Sequence, residues 1–147
     1  MTDAIYYPKE LEDVLDKALG KCFERINAGE EDSIAFLITM NFDGKITDQR
    51  IAVEFNADYV EPKANCFEGE KANIKIYALA FVALLYWKGK NRKAIFVEVG
   101  ERENDESMVL ALRYKTSDKP KRKLVLQGRL DLVGMRDSRI YRRNTPI

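Results

Sequence analysis

The segment Ile74–Trp87 (IKIYALAFVALLYW) constrains the fold of this chain more than any other. All of its residues except Lys75 are apolar or aromatic, and it contains no Gly or Pro. Its alanines and leucines are good helix formers, and the segment is unusually long for a strand. Lys88 and Gly89 fit the end of a helix, because a cation suits its negative end and Gly suits a left-handed cap. The sequence therefore predicts a central helix over 74–88, buried because it is apolar on nearly all sides.

Composition and length indicate one folded domain. The chain has 147 residues, of which 46% are hydrophobic and 33% charged, as expected for a folded protein with a proper core. We expect a single domain over residues 1–134, followed by a basic C-terminal tail over 135–147 that is either one short helix or loose. No internal repeat interrupts this organisation.

The chain shows no sign of export or of a membrane span. The segment 74–87 is shorter than the roughly 20 apolar residues that a transmembrane helix needs. Cys22 and Cys66 lack a metal-binding or redox spacing and are too few for a disulfide scaffold, which favours a reducing compartment. The N-terminus MTDAIYYPKE lacks a basic region followed by an apolar run. We expect a cytoplasmic protein.

An amphipathic helix is predicted over residues 9–28. Pro8 suits the first helical position, and acidic residues follow it at the positive end of the helix. Apolar residues recur at steps of three and four and define one stripe, and Gly29 ends the helix. The stripe consists of Leu11, Val14, Leu15, Ala18, Leu19, Cys22 and Ile26.

Five strands are predicted around the two helices. Asp43-Gly44 is typical of a tight hairpin turn, here between strands over 33–41 and 47–56. Three further strands are expected, over 94–100, 108–115 and 123–134, with Gly128 at a bulge in the last. The element order is α-β-β-α-β-β-β. This order indicates an α+β fold, with a five-stranded, mainly antiparallel sheet and the central helix packed on one face.

Residues 57–71 form an unusually long connection between the second strand and the central helix. Loops of this length are often binding loops or lids. Tyr59, Val60, Cys66 and Phe67 are apolar enough to fold back on the core. The segment is therefore either a structural cover for one end of the core or a lid over a ligand.

In element order, residues 9–134 resemble Roadblock-type dynein light chain domains of the profilin-like group. In sequence the resemblance depends on the apolar strand that ends in Phe42-Asp43-Gly44-Lys45-Ile46. The long loop over 57–71 and the basic loop over 116–122 depart from the family pattern. The resemblance implies a dimeric scaffold that binds small GTPases or motor subunits, and it assigns no functional residue.

Familiar catalytic and metal-binding sets are not evident in the sequence. The chain has no histidine, which excludes His-based triads and His–metal sites. The acidic run over 101–106 lacks the spacing and glycine of an EF-hand, and Lys88-Gly89-Lys90 lacks the glycines of a phosphate loop. We therefore predict no cofactor and no metal, and lean towards a protein that is not an enzyme. A hydrolase of unrecognised type, with Tyr59, Cys66 and Glu98 at a pocket, remains an alternative.

The charges are unevenly distributed along the chain. Residues 1–70 contain 16 acidic and 7 basic residues, a net charge of −9, and residues 71–147 have a net charge of +10. Residues 113–147 alone contain 11 basic and 3 acidic residues. The candidate binding patch consists of Lys119, Lys121, Arg122, Lys123, Arg136, Arg139, Arg142 and Arg143. Tyr114 and Tyr141 lie among these cations and are candidates for stacking on bases.

Three interpretations of the basic patch remain open. It is a solvated edge that prevents aggregation, a phosphate-binding surface for nucleic acid, or a surface for an acidic protein such as the acidic half of a second copy. The leading hypothesis is a small non-enzymatic binding or regulatory module that acts through protein–protein contacts, as a homodimer. The alternatives are a nucleic-acid-binding domain that uses residues 113–143 and the hydrolase. We expect a protein partner or self-association and no membrane association.

Overall fold

The computed structural model describes residues 8–30, 35–50, 53–55, 60–62, 73–117 and 123–137. Their architecture is one helix packed on a curled, mainly antiparallel sheet, so the predicted α+β class is confirmed. The element bounds are α1 Lys9–Asn27, β1 Ala35–Asn41, β2 Ile46–Arg50, β3 Val53–Phe55, β4 Val60–Pro62, β5 Ile74–Trp87, β6 Lys90–Glu101, β7 Glu106–Ser117, β8 Lys123–Leu126 and β9 Asp131–Asp137.

The predicted central helix is wrong, because Ile74–Trp87 is the extended strand β5. β5 pairs with β1 on one side and, along nearly its whole length, with β6 on the other. Residues 76–80 are buried on both faces of the sheet, which explains why they are apolar at every position. Beyond them exposure alternates, with Leu84 and Tyr86 exposed. Lys88 (φ 49°) and Gly89 (φ 83°) both have positive φ, the conformation of a tight hairpin turn and not of a helix cap.

The main sheet has seven strands among the described residues, not five, in the order β2-β1-β5-β6-β7-β8, with β9 also paired to β7. The hairpin at Asp43-Gly44 is confirmed, and Asn41 holds it by accepting bonds from the N–H groups of Asp43 and Lys45 through Oδ1. The predicted strand over 47–56 is split between β2 and β3. β3 pairs with β4, which lies inside the predicted long loop, and the remainder of 57–71 lies outside the described residues.

The predicted last strand is present as β8 and β9, which follow one another along the same side of β7. Residues 127–130 interrupt them, and Gly128 has a φ of 105° at the predicted irregularity. β9 continues to Asp137, so residues 135–137 of the predicted tail belong to the sheet.

The helix prediction over 9–28 is confirmed by α1, which lies across β1, β5 and β6. Its apolar stripe packs on the face of the sheet that carries Ile76, Ala78 and Ala80, which we call the helix face. Asn27 at the end of α1 accepts a bond from the Leu124 N–H, with the Oδ1 and N atoms 2.7 Å apart, and so ties the helix to β8.

The opposite face of the sheet, which we call the outer face, has its own buried residues. Leu37, Tyr77 and Leu79 cluster there, and the rings of Phe81 and Phe96 stack with centroids 5.6 Å apart. The register places Glu98 beside Leu79 on this face. Burying a carboxylate among apolar residues costs free energy unless the carboxylate is paired, so Glu98 requires a partner.

Candidate functional site

Most of the predicted basic patch lies outside the described residues: Lys119, Lys121, Arg122, Arg139, Tyr141, Arg142 and Arg143. Lys123 is the first residue of β8, where only the backbone is described. Tyr114 lies in β7 on the helix face and is only 2% exposed, so its ring is not presented to a base in this structure. Of the hydrolase candidates, Tyr59 and Cys66 also lie outside the described residues.

Arg136 is the one predicted patch residue whose side chain is described, and it is engaged within the monomer. Its Nη1 lies 3.2 Å from Oε1 of Glu98, which is almost completely buried. The Arg136 side chain is 41% exposed and lies on β9, at the edge of the sheet. The pair therefore fastens the edge strand to the buried centre of the outer face.

Tyr77 supplies the second partner of Glu98, because its hydroxyl donates to Oε2. The register explains this contact: Tyr77 faces Gly100 on β6, and Glu98 is the next residue on the same face. The tyrosine ring lies directly over Gly100, where an added Cβ would be only 2.3 Å from Cε1. Tyr77, Glu98 and Arg136 thus form a polar network that joins β5, β6 and β9, with both carboxylate oxygens hydrogen-bonded or ion-paired.

The two ends of the long β5–β6–β7 hairpins carry opposite charge. The turn between β6 and β7 is acidic, with Glu101, Glu103, Asp105 and Glu106. Clefts of about 320 and 310 Å³ lie there, and Glu101 lines both. Nearby, Glu10 at the start of α1 binds Lys75, with Oε1 and Nζ 2.6 Å apart.

The opposite end of the hairpins is basic. The turn between β5 and β6 and the strand that follows it read Lys88-Gly89-Lys90-Asn91-Arg92-Lys93, and β7 adds Arg113 and Lys115. The segments 83–97 and 107–117, which form this end, contain no Asp or Glu. Within the described strands β5–β7 and their turns, charge is therefore separated between the two ends of the hairpins. Sequence reasoning missed this group, although the run of cations beside a two-residue turn was a visible signal.

At the basic end, the guanidinium of Arg113 lies over the indole ring of Trp87. The Cζ atom of Arg113 lies 4.3 Å from the centroid of the indole ring, within the range of a cation–π contact. Gly128 leaves room for the guanidinium, because an added Cβ would be 2.4 Å from Nη2. Asp131 approaches Nη2 at 3.8 Å, too far for a hydrogen bond.

The edge formed by β8 and β9 is apolar and half exposed. Leu126, Leu132, Val133 and Met135 are between 38% and 50% exposed along it. Among the described strands, β9 is hydrogen-bonded to β7 alone. A free edge with exposed apolar side chains is a surface that another strand can join.

The remaining chemistry of the described part of the chain is sparse. It contains no group of three or more His, Cys, Asp or Glu side chains placed so that they could hold a metal ion, and no helix long and apolar enough to span a membrane. Cys22 is buried in the core, and burial raises the pKa of its thiol to about 12, so it is a packing residue and not a nucleophile. Comparison of the chain with protein-family models, curated proteins and solved structures found no match.

Proposed function

We propose that this protein is a small non-enzymatic binding module that acts through protein–protein contacts, and that it forms a homodimer through the edge of β9. The observation that supports this proposal is the row of half-exposed apolar side chains on that edge, at Leu132, Val133 and Met135. An edge strand of this kind presents unpaired backbone groups together with apolar surface, which are the two requirements for strand addition.

The other edge of the main sheet, β2, is protected against pairing with a further strand. β2 is short, its residues Thr47 and Asp48 are polar, and Lys21 of α1 pairs with Asp48 at 3.0 Å between Nζ and Oδ2. The hydroxyl of Thr39 on β1 also bonds that of Thr47. β2 is the shorter strand, and none of its described side chains is an exposed large hydrophobic, so the contrast favours β9 as the interface.

A second copy of the chain is the partner that fits β9 best. An antiparallel pair of identical strands is related by a two-fold axis, so each copy gives and receives the same contacts. β9 carries both signs of charge, at Asp131, Arg136 and Asp137, and therefore does not repel a copy of itself as a uniformly charged strand would. The Roadblock resemblance also implies a dimer, although the second helix on which it partly depended is a strand.

Sedimentation equilibrium of the full chain tests this proposal. We expect a reversible dimer at micromolar concentrations. Val133→Asp should weaken the dimer at least about tenfold, because a desolvated carboxylate would enter the strand pair. The matched control is Leu84→Asp, which places the same charge at a more exposed apolar position, 63% exposed, on the interior strand β5.

Two results would count against the interface. A wild-type chain that stays monomeric at high micromolar concentration removes the homodimer. A dimer that Leu84→Asp disrupts and Val133→Asp does not must use a surface other than β9. Circular dichroism of each variant shows whether the fold is intact.

A further inference from the structure

The outer face of the sheet gathers aromatic and guanidinium side chains at its basic end. Trp87 pairs with Lys90, Leu85 pairs with Arg92, and Ala94 pairs with Arg113. Because side chains alternate along a strand, this register places Trp87, Arg92 and Arg113 on the same face of three neighbouring strands. Lys90, two residues before Arg92, and Lys115, two residues after Arg113, lie on the same face.

Three N–H donors in this group are buried and have no acceptor among the described residues. They are Nε1 of Trp87 and the Nε atoms of Arg92 and Arg113. Buried N–H groups are nearly always hydrogen-bonded, and three exceptions on one small area of one face are unusual. A guanidinium binds a planar or tetrahedral oxyanion through Nε–H and a terminal N–H together, so these are the donors that such a ligand uses.

The charges around these donors also favour an anion. Asp131 is the one described carboxylate within 4.0 Å of Arg113, and no described carboxylate comes this close to Arg92. The Arg113 guanidinium lies over the Trp87 ring, which restricts its position, and Gly128 gives it room. A guanidinium that is already restricted in position loses less conformational freedom on binding than a mobile side chain does.

We propose that Arg92, Arg113 and Trp87 form a binding site for a phosphate group, with Lys90 and Lys115 at its margin. Both Nε atoms are buried, so binding requires a local rearrangement that exposes them, after which the phosphate oxygens accept from the Nε–H groups. The phosphate belongs either to a small soluble compound or to the backbone of a single-stranded nucleic acid. This site is separate from the β9 edge, so the two proposals can fail independently.

Fluorescence titration of the full chain tests the site directly, because Trp87 is the only tryptophan. The probes are pyrophosphate, a short oligothymidylate and, as a carboxylate comparison, citrate at equal ionic strength. We expect a saturable change in the emission of Trp87 with pyrophosphate or the oligonucleotide and a much weaker response to citrate. If the source is nucleic acid, the oligonucleotide binds more tightly than pyrophosphate and its affinity falls steeply with salt. If the source is a small compound, the oligonucleotide shows no such advantage.

Substitutions show whether phosphate binding requires Arg92 and Arg113 themselves or only a cationic surface. Arg113→Lys keeps the charge but removes the planar set of N–H donors of the guanidinium, and it should weaken binding about tenfold. Arg92→Gln should weaken it similarly, whereas Lys93→Gln removes the same charge from the neighbouring residue on the helix face and should have little effect. The proposal is overturned if neither phosphate probe gives a saturable change, if citrate binds as tightly, or if Lys93→Gln weakens binding as much as Arg92→Gln. Unfolding curves of each variant confirm that the fold persists.

Discussion

Gly100→Ala tests whether the polar network on the outer face stabilises the fold. The added Cβ would lie 2.3 Å from Cε1, 2.8 Å from Cζ and 3.0 Å from the hydroxyl oxygen of Tyr77. Tyr77 is fully buried, so its ring cannot swing into solvent and must shift within a packed face. That shift also pulls the hydroxyl away from Glu98.

Two costs add up in this variant. Overpacking a buried site typically costs about 1–3 kcal/mol. The loss of a hydrogen bond to a buried charged group costs about 1.5–3 kcal/mol. We therefore expect Gly100→Ala to lower the free energy of unfolding by about 2.5–6 kcal/mol, and Tyr77→Phe to lower it by about 1.5–3 kcal/mol because it removes only the bond.

Urea denaturation at one fixed protein concentration measures both values. The double variant should lose less than the sum of the two single variants, because each single change already removes the same hydrogen bond. A Gly100→Ala protein within about 0.5 kcal/mol of wild type, the range of an ordinary surface substitution, would refute the argument. Strict additivity in the double variant would show that the ring shift does not reach Glu98.

Three further substitutions check other parts of the structure. Gly20→Ala, at a helical position with no atom within 4 Å of the added Cβ, should stabilise the protein by about 0.5–1 kcal/mol in the same denaturation assay, and destabilisation would contradict the open surface seen there. Gly128→Ala should cost about 1–3 kcal/mol, because its φ is +105° and Arg113 occupies the space, and it should also shift the emission of Trp87; unchanged emission would place Arg113 elsewhere. For Cys22, burial raises the pKa of the thiol to about 12, so the unfolded chain loses this proton near pH 9 while the folded chain keeps it. Wild-type stability should therefore fall relative to Cys22→Ala between pH 9 and 12, by up to about 1.4 kcal/mol per pH unit, and parallel pH profiles would argue against a buried thiol.

The sequence predicted the elements whose apolar pattern has one clear period. α1 has a single stripe facing the core, and its bounds were within one residue of the prediction. The hairpin at Asp43-Gly44 and the irregular strand around Gly128 were also found, because glycine at a turn or bulge is a local signal. These features do not depend on which other element covers them.

β5 was mispredicted for a physical reason. Its first half is buried on both faces, so the alternation that identifies a strand is absent there and composition alone had to decide. Ala and Leu favoured a helix, whereas the β-branched and aromatic residues, such as Ile76, Val82 and Trp87, favoured the strand that formed. Lys88-Gly89 supported either outcome, since Gly permits positive φ both in a helix cap and in a hairpin turn.

That one error hid both the candidate phosphate site and the polar network. Trp87, Arg92 and Arg113 meet only if β5, β6 and β7 are three neighbouring strands, and the network of Tyr77, Glu98 and Arg136 needs the same register. The cations over 88–93 are visible in the sequence, but a helix that ends at Lys88 gives no reason to place them beside Arg113. The candidate binding patch was therefore assigned largely to the basic tail, most of which lies outside the described residues.

The separation of charge follows from the hairpins themselves. An antiparallel strand returns to the end from which its neighbour started, so the basic start of β6 lies beside the basic end of β7, and the acidic end of β6 lies beside the acidic start of β7. Each end of the sheet thus collects like charges, which repel one another and destabilise the fold locally. At the acidic end, Lys75 partly offsets the negative charge through its pair with Glu10. At the basic end, Asp131 is the one carboxylate among the described residues that lies close to Arg92 or Arg113. Among the described residues, the cations of the basic end outnumber the carboxylates close to them, and the affinity of the site formed by Trp87, Arg92 and Arg113 for phosphate measures whether an anionic ligand balances this excess.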